Sequence, residues 1–358
     1  MSPELCVGCG TCATVCPTGA LEARHTNDGE LMRKGLLSLK ANDGDAVFVC
    51  SGARREAEAS GKHIDESAVV DVVCLSRIEE TLAFSLVARG ARRIVGVCGD
   101  CAACERSQGR ASVELVQSTM EKIAQAWGLD ARFDVVRDLP ESACAQTAGS
   151  PEEGEGREEA VCEAFTSCTH AVDGLPLSRV AADTSNMQLQ EGETVGFGEA
   201  GTIKMSFNPV HVQKDGTLPH FVPSRRLNLL DQLASLGDPV ADEIDCRLWG
   251  HVVIDFDICQ SCKMCAVFCP TGAICKYQDE HGIAGIEHYL AECVHCCLCQ
   301  DVCPAKAIHC VTKVPTHQLA EGLTERYKMP DPEWMAGPDQ ILQRMRKKIG
   351  GNSVEHSY

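Results

Sequence analysis

The chain has 358 residues, enough for two or three domains with buried cores. It carries 51 acidic and 33 basic side chains, and the formal net charge of −18 argues against a nucleic-acid partner. No apolar run reaches the roughly 18 residues that a membrane span needs, and no charged-then-apolar leader precedes Cys6. We therefore expect a cytoplasmic protein without a membrane span, unless a partner subunit carries it across a membrane.

Cysteine is the unusual component of the chain, at 24 residues. Most of these cysteines stand two or three residues apart, which is too close and too regular for the long-range disulfides of a secreted protein. Such spacing is typical of cysteine thiolates that bind metal ions or iron–sulfur clusters. We therefore read the cysteine runs as cofactor sites.

The first cysteine run lies in residues 1–40, a predicted N-terminal segment, and has the spacing C-x2-C-x2-C-x3-C-P. It resembles one half of a bacterial ferredoxin, and Pro-Thr-Gly-Ala follows its last cysteine as it does again at 270–273. We expect Cys6, Cys9 and Cys12 to hold a [4Fe–4S] cluster. Its fourth ligand is either Cys16 or a distant cysteine, with three candidates: Cys144, Cys162 and Cys168.

Residues 41–148 alternate short apolar runs with helical segments, which predicts a parallel sheet covered by helices. The expected strands are residues 46–49, 69–73, 94–97 and 133–136. Together with the flanking cysteine runs, this gives the expected fold class, α/β plus α+β. A small parallel-sheet cysteine domain would be joined to a two-cluster ferredoxin-like domain and an N-terminal ferredoxin-like segment.

Two helices are predicted within the same domain. The first begins at a capping box formed by Ser76 and Glu79 and closes at Gly90. Its core-facing side chains recur at helical spacing: Ile78, Leu82 and Leu86. The second helix runs from about residue 112 to Trp127, with Gly128 immediately after it.

Cysteines close the first three of the predicted strands, namely Cys50, Cys74 and Cys98. Because the carboxyl ends of parallel strands meet at one edge of a sheet, we expect these thiols to converge there. Two further cysteines, Cys101 and Cys104, lie on the loop after the third strand. Four of the five are expected to hold one centre, which is a [2Fe–2S] cluster, a [4Fe–4S] cluster or structural zinc.

The layout of residues 46–110 resembles the small iron–sulfur (delta) subunit of methyl-viologen-reducing hydrogenases. The resemblance rests on Cys50, Cys74 and the segment from Cys98 to Cys104, and it implies passage of electrons to heterodisulfide reductase. An alternative is that the triad of Cys98, Cys101 and Cys104 borrows Cys16. The triad would then form a split ferredoxin pair with the N-terminal run.

Residues 149–245 are expected to form an acidic linker and an irregular region. The stretch 149–160 is rich in acidic residues and glycine, and one amphipathic helix is expected around residues 225–236. The only G-x-G-x-x-G match, at residues 196–201, follows no convincing strand and opens no helix, so it predicts a glycine-rich turn and no nucleotide site. We assign no chemistry to this region.

The most specific pattern lies in residues 246–314, where C-x2-C-x2-C-x3-C-P occurs twice. The duplication resembles a bacterial two-cluster ferredoxin, and this resemblance implies crossed ligation of two [4Fe–4S] clusters. The first would be held by Cys259, Cys262, Cys265 and Cys303. The second would be held by Cys293, Cys296, Cys299 and Cys269. A pair of zinc knuckles does not account for the Cys-Pro endings or for the duplication.

Three more cysteines of this module, Cys275, Cys297 and Cys310, stand outside the repeated pattern. We expect them to pack around the clusters as small apolar side chains. The tail, residues 315–358, contains a basic stretch at 344–348. In an acidic chain this stretch is either a contact for a partner subunit or a solvated helix end.

These patterns favour an iron–sulfur electron-transfer subunit of anaerobic metabolism, with three [4Fe–4S] clusters and a fourth cluster or zinc. It would relay electrons between a donor or acceptor protein and a catalytic oxidoreductase partner. Similar ferredoxin-like subunits stand beside molybdenum or tungsten enzymes, hydrogenases and heterodisulfide reductases. Two alternatives stay open: a redox enzyme that reduces a substrate at the middle site, and a zinc- or cluster-binding module for assembly or sensing.

Overall fold

A computed structural model describes residues 6–17, 27–145 and 220–329, together with residues 4, 21, 23 and 210–211. In these ranges the helices are α1 (Thr11–Val15), α2 (Asp28–Ala41), α3 (Ser51–Ala59), α4 (Glu80–Val87), α5 (Gly109–Trp127), α6 (Ser224–Leu236), α7 (Met264–Val267), α8 (Leu298–Val302) and α9 (Thr316–Glu321). No helix of the described ranges has the length and apolar character needed to cross a membrane.

The strands of the same ranges are β1 (Asp45–Cys50), β2 (Val69–Val72), β3 (Arg93–Val97), β4 (Arg132–Val136), β5 (Val210–His211), β6 (His220–Phe221), β7 (Glu243–Asp245), β8 (His251–Ile254), β9 (Ile274–Gln278), β10 (Ala284–Tyr289), β11 (Ile308–Val311), β12 (Lys313–Pro315) and β13 (Thr324–Lys328). The first four form one sheet in the order β2–β1–β3–β4, and all three pairings are parallel. The predicted parallel sheet is therefore confirmed.

Helices cover this sheet because its strands are apolar on both faces. Consecutive side chains point to opposite faces: Phe48 and Ile94 join the core beneath α2, α4 and α5, while Val49 and Val95 face the smaller core beside α3. The neighbouring strands β1 and β3 connect in opposite directions along the sheet. Their carboxyl ends are thus the switch point at which ligands bind in open α/β sheets.

The helix predicted after β2 does form, but its predicted capping box is wrong. Glu79 itself is the N-cap, and its carboxylate accepts hydrogen bonds from the backbone N–H groups of Thr81 and Leu82. Ser76 lies in a preceding 3-10 turn and is fully buried. Its hydroxyl donates to the carbonyl of Cys9, so a partner distant in sequence replaces the local cap. The expected core face is correct: Ile78, Leu82 and Leu86 are buried.

The C-terminal module is packed directly against the sheet domain. Leu229 and Leu233 of α6 are completely buried against α4, and the same continuous core contains Trp249 and Leu290. The amphipathic helix expected around residues 225–236 is therefore an interface between the two parts of the chain. The acidic stretch 149–160 and the glycine-rich stretch 196–201 lie outside the described residues.

A second core surrounds the duplicated cysteine runs. Strand β8 pairs with β11, and β10 pairs with both β9 and β13, all antiparallel. Because β13 comprises residues 324–328, the structured module continues past residue 314. The basic stretch 344–348 lies outside the described residues.

Candidate cluster and metal sites

The three runs that end in Cys-Pro share one backbone conformation. In each, the residues immediately before and after the second cysteine have left-handed φ values between 51° and 89°: Gly8 and Gly10, Ser261 and Lys263, His295 and Cys297. The third cysteine then lies in a short helix, α1, α7 or α8. A left-handed conformation is uncommon for residues other than glycine. Its recurrence at equivalent places indicates that the three loops curl around the same kind of group.

The first C-terminal site brings together the four cysteines expected from crossed ligation. A single cavity is lined by Cys259, Cys262, Cys265 and Cys303, with apolar walls from Ile254, Met264 and Ile308 among others. The backbone N–H of Ala307 donates to the sulfur of Cys303 at 3.3 Å. Burial, and then the nearby Cys262 sulfur, raises the pKa of the Cys265 thiol to about 12. An apolar pocket of converging thiols with an N–H donor to sulfur fits a [4Fe–4S] cluster, because cationic iron compensates the buried thiolates.

The second C-terminal site is more deeply buried. Cys269, Cys293 and Cys299 are each less than 10% exposed and belong to one core. The backbone N–H of Ile274 donates to the sulfur of Cys269 at 3.4 Å. Burial raises the pKa of the Cys269 thiol to about 11, opposed by this hydrogen bond and reinforced by the neighbouring Cys293 sulfur. Cys269 thus lies beside the second run, as crossed ligation requires, and these residues also fit a [4Fe–4S] cluster.

Cys310 packs in this second core, as expected, but its sulfur also enters the cluster site. It borders the same space as the Cys293 sulfur, because a β-carbon on Gly250 would lie 2.8 Å from the Cys310 sulfur and 3.0 Å from the Cys293 sulfur. It also lies within 4.8 Å of the potential ligand atoms of His295 and Cys297. Cys275, which stands at a similar place after the other Cys-Pro, has its sulfur 4.0 Å from the Glu287 carboxylate instead. Their similar places after the two Cys-Pro ends do not predict this difference in surroundings.

The N-terminal run is docked on the sheet domain by hydrogen bonds between loops. The Ser76 hydroxyl donates to the Cys9 carbonyl at 2.7 Å, and the Thr14 hydroxyl donates to the Ser76 carbonyl at 2.6 Å. The Arg106 guanidinium donates to the Val7 carbonyl at 2.8 Å. Burial acts to raise the pKa of the Cys9 thiol, but hydrogen bonds with Thr11 and Ser76 outweigh it and lower the pKa. A lowered thiol pKa favours the thiolate that binds metal.

The candidates for the fourth ligand of this run differ in position. Cys6 and Cys12 are exposed, and Cys16 is half-buried at the end of the loop. Cys144 forms a β-bridge with Ile64, and its sulfur faces the Pro140 carbonyl at the opposite side of the sheet domain. Cys162 and Cys168 lie outside the described residues.

The middle site is a cavity of about 330 Å³ at the carboxyl ends of β1, β2 and β3. All five predicted cysteines line it: Cys50, Cys74, Cys98, Cys101 and Cys104. Gly109, at the start of α5, makes room for one of them, since a β-carbon there would lie 2.7 Å from the Cys74 sulfur. The convergence expected from three strand ends is therefore present in the structure.

Cys101 lies near the sulfurs of three other cysteines of the cavity. Burial raises the pKa of the Cys101 thiol, and so do three neighbouring sulfurs, those of Cys98, Cys50 and Cys74. Two backbone N–H groups, of Ala53 and Gly99, donate to the Cys50 sulfur at 3.4 Å. Such donors fit an anionic metal–thiolate group. The sequence interpretation missed three arginines that also line the cavity: Arg106, Arg110 and Arg137.

The middle run has a different backbone from the three ferredoxin-type runs. Asp100, which precedes its second cysteine, has a φ of −70°, and a 3-10 turn at Cys101–Ala103 follows. Neither Asp100 nor Ala102 is left-handed. The triad therefore does not form a ferredoxin loop, which argues against the split ferredoxin pair with Cys16.

Comparisons with known proteins match two of the three ferredoxin-type runs. A family model described as a 4Fe–4S binding domain matches residues 1–22 and 252–275. Pyruvate synthase subunit PorD of Methanocaldococcus jannaschii is 38% identical over 56 residues, which are 16% of this chain and 60% of that protein. The chain thus spans less than two thirds of this relative, and no solved structure matches. Segments of 4Fe–4S ferredoxin type are therefore present in both the N-terminal and the C-terminal parts of the chain.

Proposed function

We propose that this protein is an iron–sulfur electron-transfer subunit that relays electrons between a donor or acceptor protein and a catalytic oxidoreductase subunit. When bound, the clusters would supply one-electron redox chemistry. The matches to a 4Fe–4S binding domain and to a pyruvate synthase subunit support this general function. The observation that carries the proposal is that the candidate sites lie side by side in one folded unit.

The first contact joins the middle site to the N-terminal run. Ser76 is two residues after Cys74, and its hydroxyl donates to the carbonyl of Cys9. A β-carbon on Gly109 would lie 2.7 Å from the Cys74 sulfur and 3.1 Å from the Ser76 oxygen, so the sulfur and the hydroxyl border one small space. A short hydrogen-bonded path therefore connects the two sites.

The second contact joins the N-terminal run to the C-terminal module. The backbone N–H of Arg225 donates to the Pro17 carbonyl at 3.2 Å, and that of Phe221 donates to the Pro270 carbonyl at 2.8 Å. Each proline directly follows the last cysteine of its run, Cys16 or Cys269. The segment 221–225 therefore holds the two Cys-Pro ends next to each other.

The third contact lies within the C-terminal module. Helices α7 and α8, which carry Cys265 and Cys299, pack against each other. The Cys299 sulfur is close enough to help raise the pKa of the Cys265 thiol, after the larger effects of burial and Cys262. The proposed order is thus middle site, N-terminal cluster, and the two C-terminal clusters.

We assign Cys50, Cys74, Cys98 and Cys101 as the ligands of the middle site, with Cys104 as a fifth, non-ligating thiol. The C-terminal ligands are the two crossed sets, and Cys6, Cys9, Cys12 and Cys16 hold the N-terminal cluster. For the partner, the name of the relative adds pyruvate synthase to the classes expected from the cysteine runs: molybdenum or tungsten enzymes, hydrogenases and heterodisulfide reductases.

One observation favours a second function, substrate reduction at the middle site. The cavity of about 330 Å³ reaches the size of small-molecule pockets, roughly 300–1,000 Å³. Three arginines on its wall would bind an anionic substrate as readily as they would balance the charge of a cluster. The two functions differ in whether the isolated chain turns over a substrate.

Electron paramagnetic resonance of the anaerobically purified chain tests the relay. After reduction with dithionite, we expect signals broadened by spin coupling between neighbouring clusters. Well-separated, uncoupled signals would contradict the side-by-side arrangement. The second function is tested in parallel by adding reduced methyl viologen and a disulfide. Turnover by the isolated chain would favour substrate reduction, whereas the relay predicts none without a catalytic partner.

A further inference from the structure

The second C-terminal site contains two polar side chains that the expected ligand set does not use. They are His288 on β10 and Cys310 on β11. The Cys310 sulfur borders the same space as the sulfur of Cys293, and His288 pairs with Ile274, which donates to the Cys269 sulfur. Polar groups next to the ligand sulfurs can influence the reduction potential of a cluster as well as its binding.

His288 is completely buried, with 0% of its surface exposed. Neither ring nitrogen has a hydrogen-bond partner of ordinary geometry among the described residues. His288 pairs across the sheet with Ile274, whose backbone N–H donates to the Cys269 sulfur, and its Nδ1 lies 3.8 Å from the Glu325 carboxylate. A buried N–H without an acceptor is destabilising, because it loses its hydrogen bond to water without replacement. An acceptor is therefore expected at this place, and a thiolate or sulfide of the cluster would supply it.

Glu325 lies on the Nδ1 side of the histidine ring. Its carboxylate is fixed from two other directions, by the His251 ring at 3.0 Å and by the Tyr327 hydroxyl, which donates at 2.7 Å. The Tyr327 oxygen also lies 2.8 Å from the Val252 carbonyl, so its single proton has two possible acceptors. With Nδ1 turned toward Glu325, Nε2 is the nitrogen left to face sulfur.

Cys310 approaches the same site from another strand. A β-carbon on Gly250 would lie 2.8 Å from the Cys310 sulfur and 3.0 Å from the Cys293 sulfur, so both sulfurs border the space above this glycine. The backbone N–H of Cys310 donates to the Gln300 side chain at 3.1 Å, which links its strand to the cluster loop. Cys310 is outside the assigned ligand set, and a thiol that binds no metal can donate its S–H to a neighbouring sulfur.

We propose that His288 and Cys310 are positioning residues that donate hydrogen bonds to the sulfurs of the second C-terminal cluster and raise its reduction potential. The physical reason is that donors to sulfur stabilise the reduced form, which carries one more negative charge. The inference rests on the proposed function in one respect, the assignment of Cys269, Cys293, Cys296 and Cys299 as the ligands.

A redox titration followed by electron paramagnetic resonance, on the cluster-loaded full chain, tests the inference. In His288→Leu and in Cys310→Ala we expect the midpoint potential of one cluster to fall while the others keep theirs. The conservative variants His288→Gln and Cys310→Ser retain a donor and should restore most of the potential. Cys275→Ala is the matched control, because its sulfur faces Glu287, and it should shift no potential.

The outcomes separate the inference from the proposed function on which it rests. Unchanged potentials in both His288→Leu and Cys310→Ala, with full iron content, would overturn the inference alone. Loss of about four iron atoms per chain in Cys310→Ala would make Cys310 a ligand and would overturn its role as a donor. Absence of the second cluster from the unmodified chain would instead contradict the proposed function. If His288→Leu fails to fold, the Cys310→Ala and Cys310→Ser pair still decides.

Discussion

Cys104 has surroundings different from those of the other four cysteines at the middle site. Its sulfur accepts a hydrogen bond from the backbone N–H of Arg106 at 3.4 Å, in the turn that leads to α5. The other four are set by two kinds of element: three strand ends and the 3-10 turn that begins at Cys101. Burial and the sulfurs of Cys98, Cys50 and Cys74 raise the pKa of the Cys101 thiol. Of the five, Cys104 is the cysteine furthest along the chain from a strand end, and this position is the basis for treating it as the non-ligand.

The assignment predicts opposite results for two cysteines six residues apart. Cys98→Ala should empty the middle site, because it removes one of four ligands. Cys104→Ala should keep the metal and leave the visible absorption of the site unchanged. Metal analysis of both variants, beside the unmodified chain, measures the difference. Retention of the middle metal by Cys98→Ala, or its loss in Cys104→Ala, would contradict the assignment.

Individual residues of the middle site were predictable to different degrees. Cys50, Cys74 and Cys98 could be placed together because each ends an apolar strand, and parallel strands share an edge. The roles of Ser76 and Cys310 could not be predicted, since each depends on a partner that the sequence does not indicate: the Cys9 carbonyl for one, the Cys293 sulfur for the other. The sequence also does not indicate that three arginines line the same cavity: Arg106, Arg110 and Arg137.

At the scale of elements, Asp28 at the start of α2 links three segments. Its carboxylate pairs with Arg77 from the 3-10 turn after β2 and with Arg225 from α6, the latter at 2.8 Å. Arg225 also donates to the Ala13 carbonyl within the N-terminal run. Both arginines are buried, with side chains 4% and 6% exposed, whereas Asp28 is 46% exposed. One carboxylate thus compensates two buried cations beside the N-terminal site.

Removal of this charge should destabilise the junction between the elements. Asp28→Asn would remove the carboxylate that pairs with both Arg77 and Arg225, and we expect the free energy of unfolding to fall by about 1–3 kcal/mol. The half-exposed carboxylate keeps the loss below that of a fully buried pair. Urea denaturation of the cluster-loaded chain measures it.

A matched control lies two residues further along the same helix. Glu30 pairs with Lys34 on an exposed face, with both side chains more than a third exposed. Glu30→Gln should therefore change the free energy of unfolding by no more than about 0.5 kcal/mol. Equal effects of the two substitutions would contradict the structural role of Asp28.

The elements themselves were largely predictable. Strand and helix periodicity located β1 to β4 and α5 within a few residues, because both faces of the sheet and one face of the helix are apolar. The predicted start of α4 was wrong, because a capping box inferred from sequence spacing does not take into account that Ser76 is buried. The role of α6 as the interface between the two parts of the chain was also not predictable, since an amphipathic helix does not specify what it packs against.

At the scale of the whole molecule, one core joins the sheet domain to the C-terminal module, and the N-terminal run docks on both. Ser76 connects this run to the middle site, and Arg225 and Phe221 connect it to the C-terminal module. The described residues thus arrange the candidate sites as a series. This arrangement supports transfer of electrons along the chain more strongly than it supports a set of independent structural metals.

Elemental analysis of the purified chain measures the number of iron–sulfur clusters directly. Iron, acid-labile sulfide and zinc should be counted in the chain after anaerobic purification. We expect about 12 to 16 iron atoms per chain, four for each [4Fe–4S] cluster, with a matching amount of sulfide. A count of about eight iron atoms together with zinc would contradict this expectation, because only two clusters would then remain.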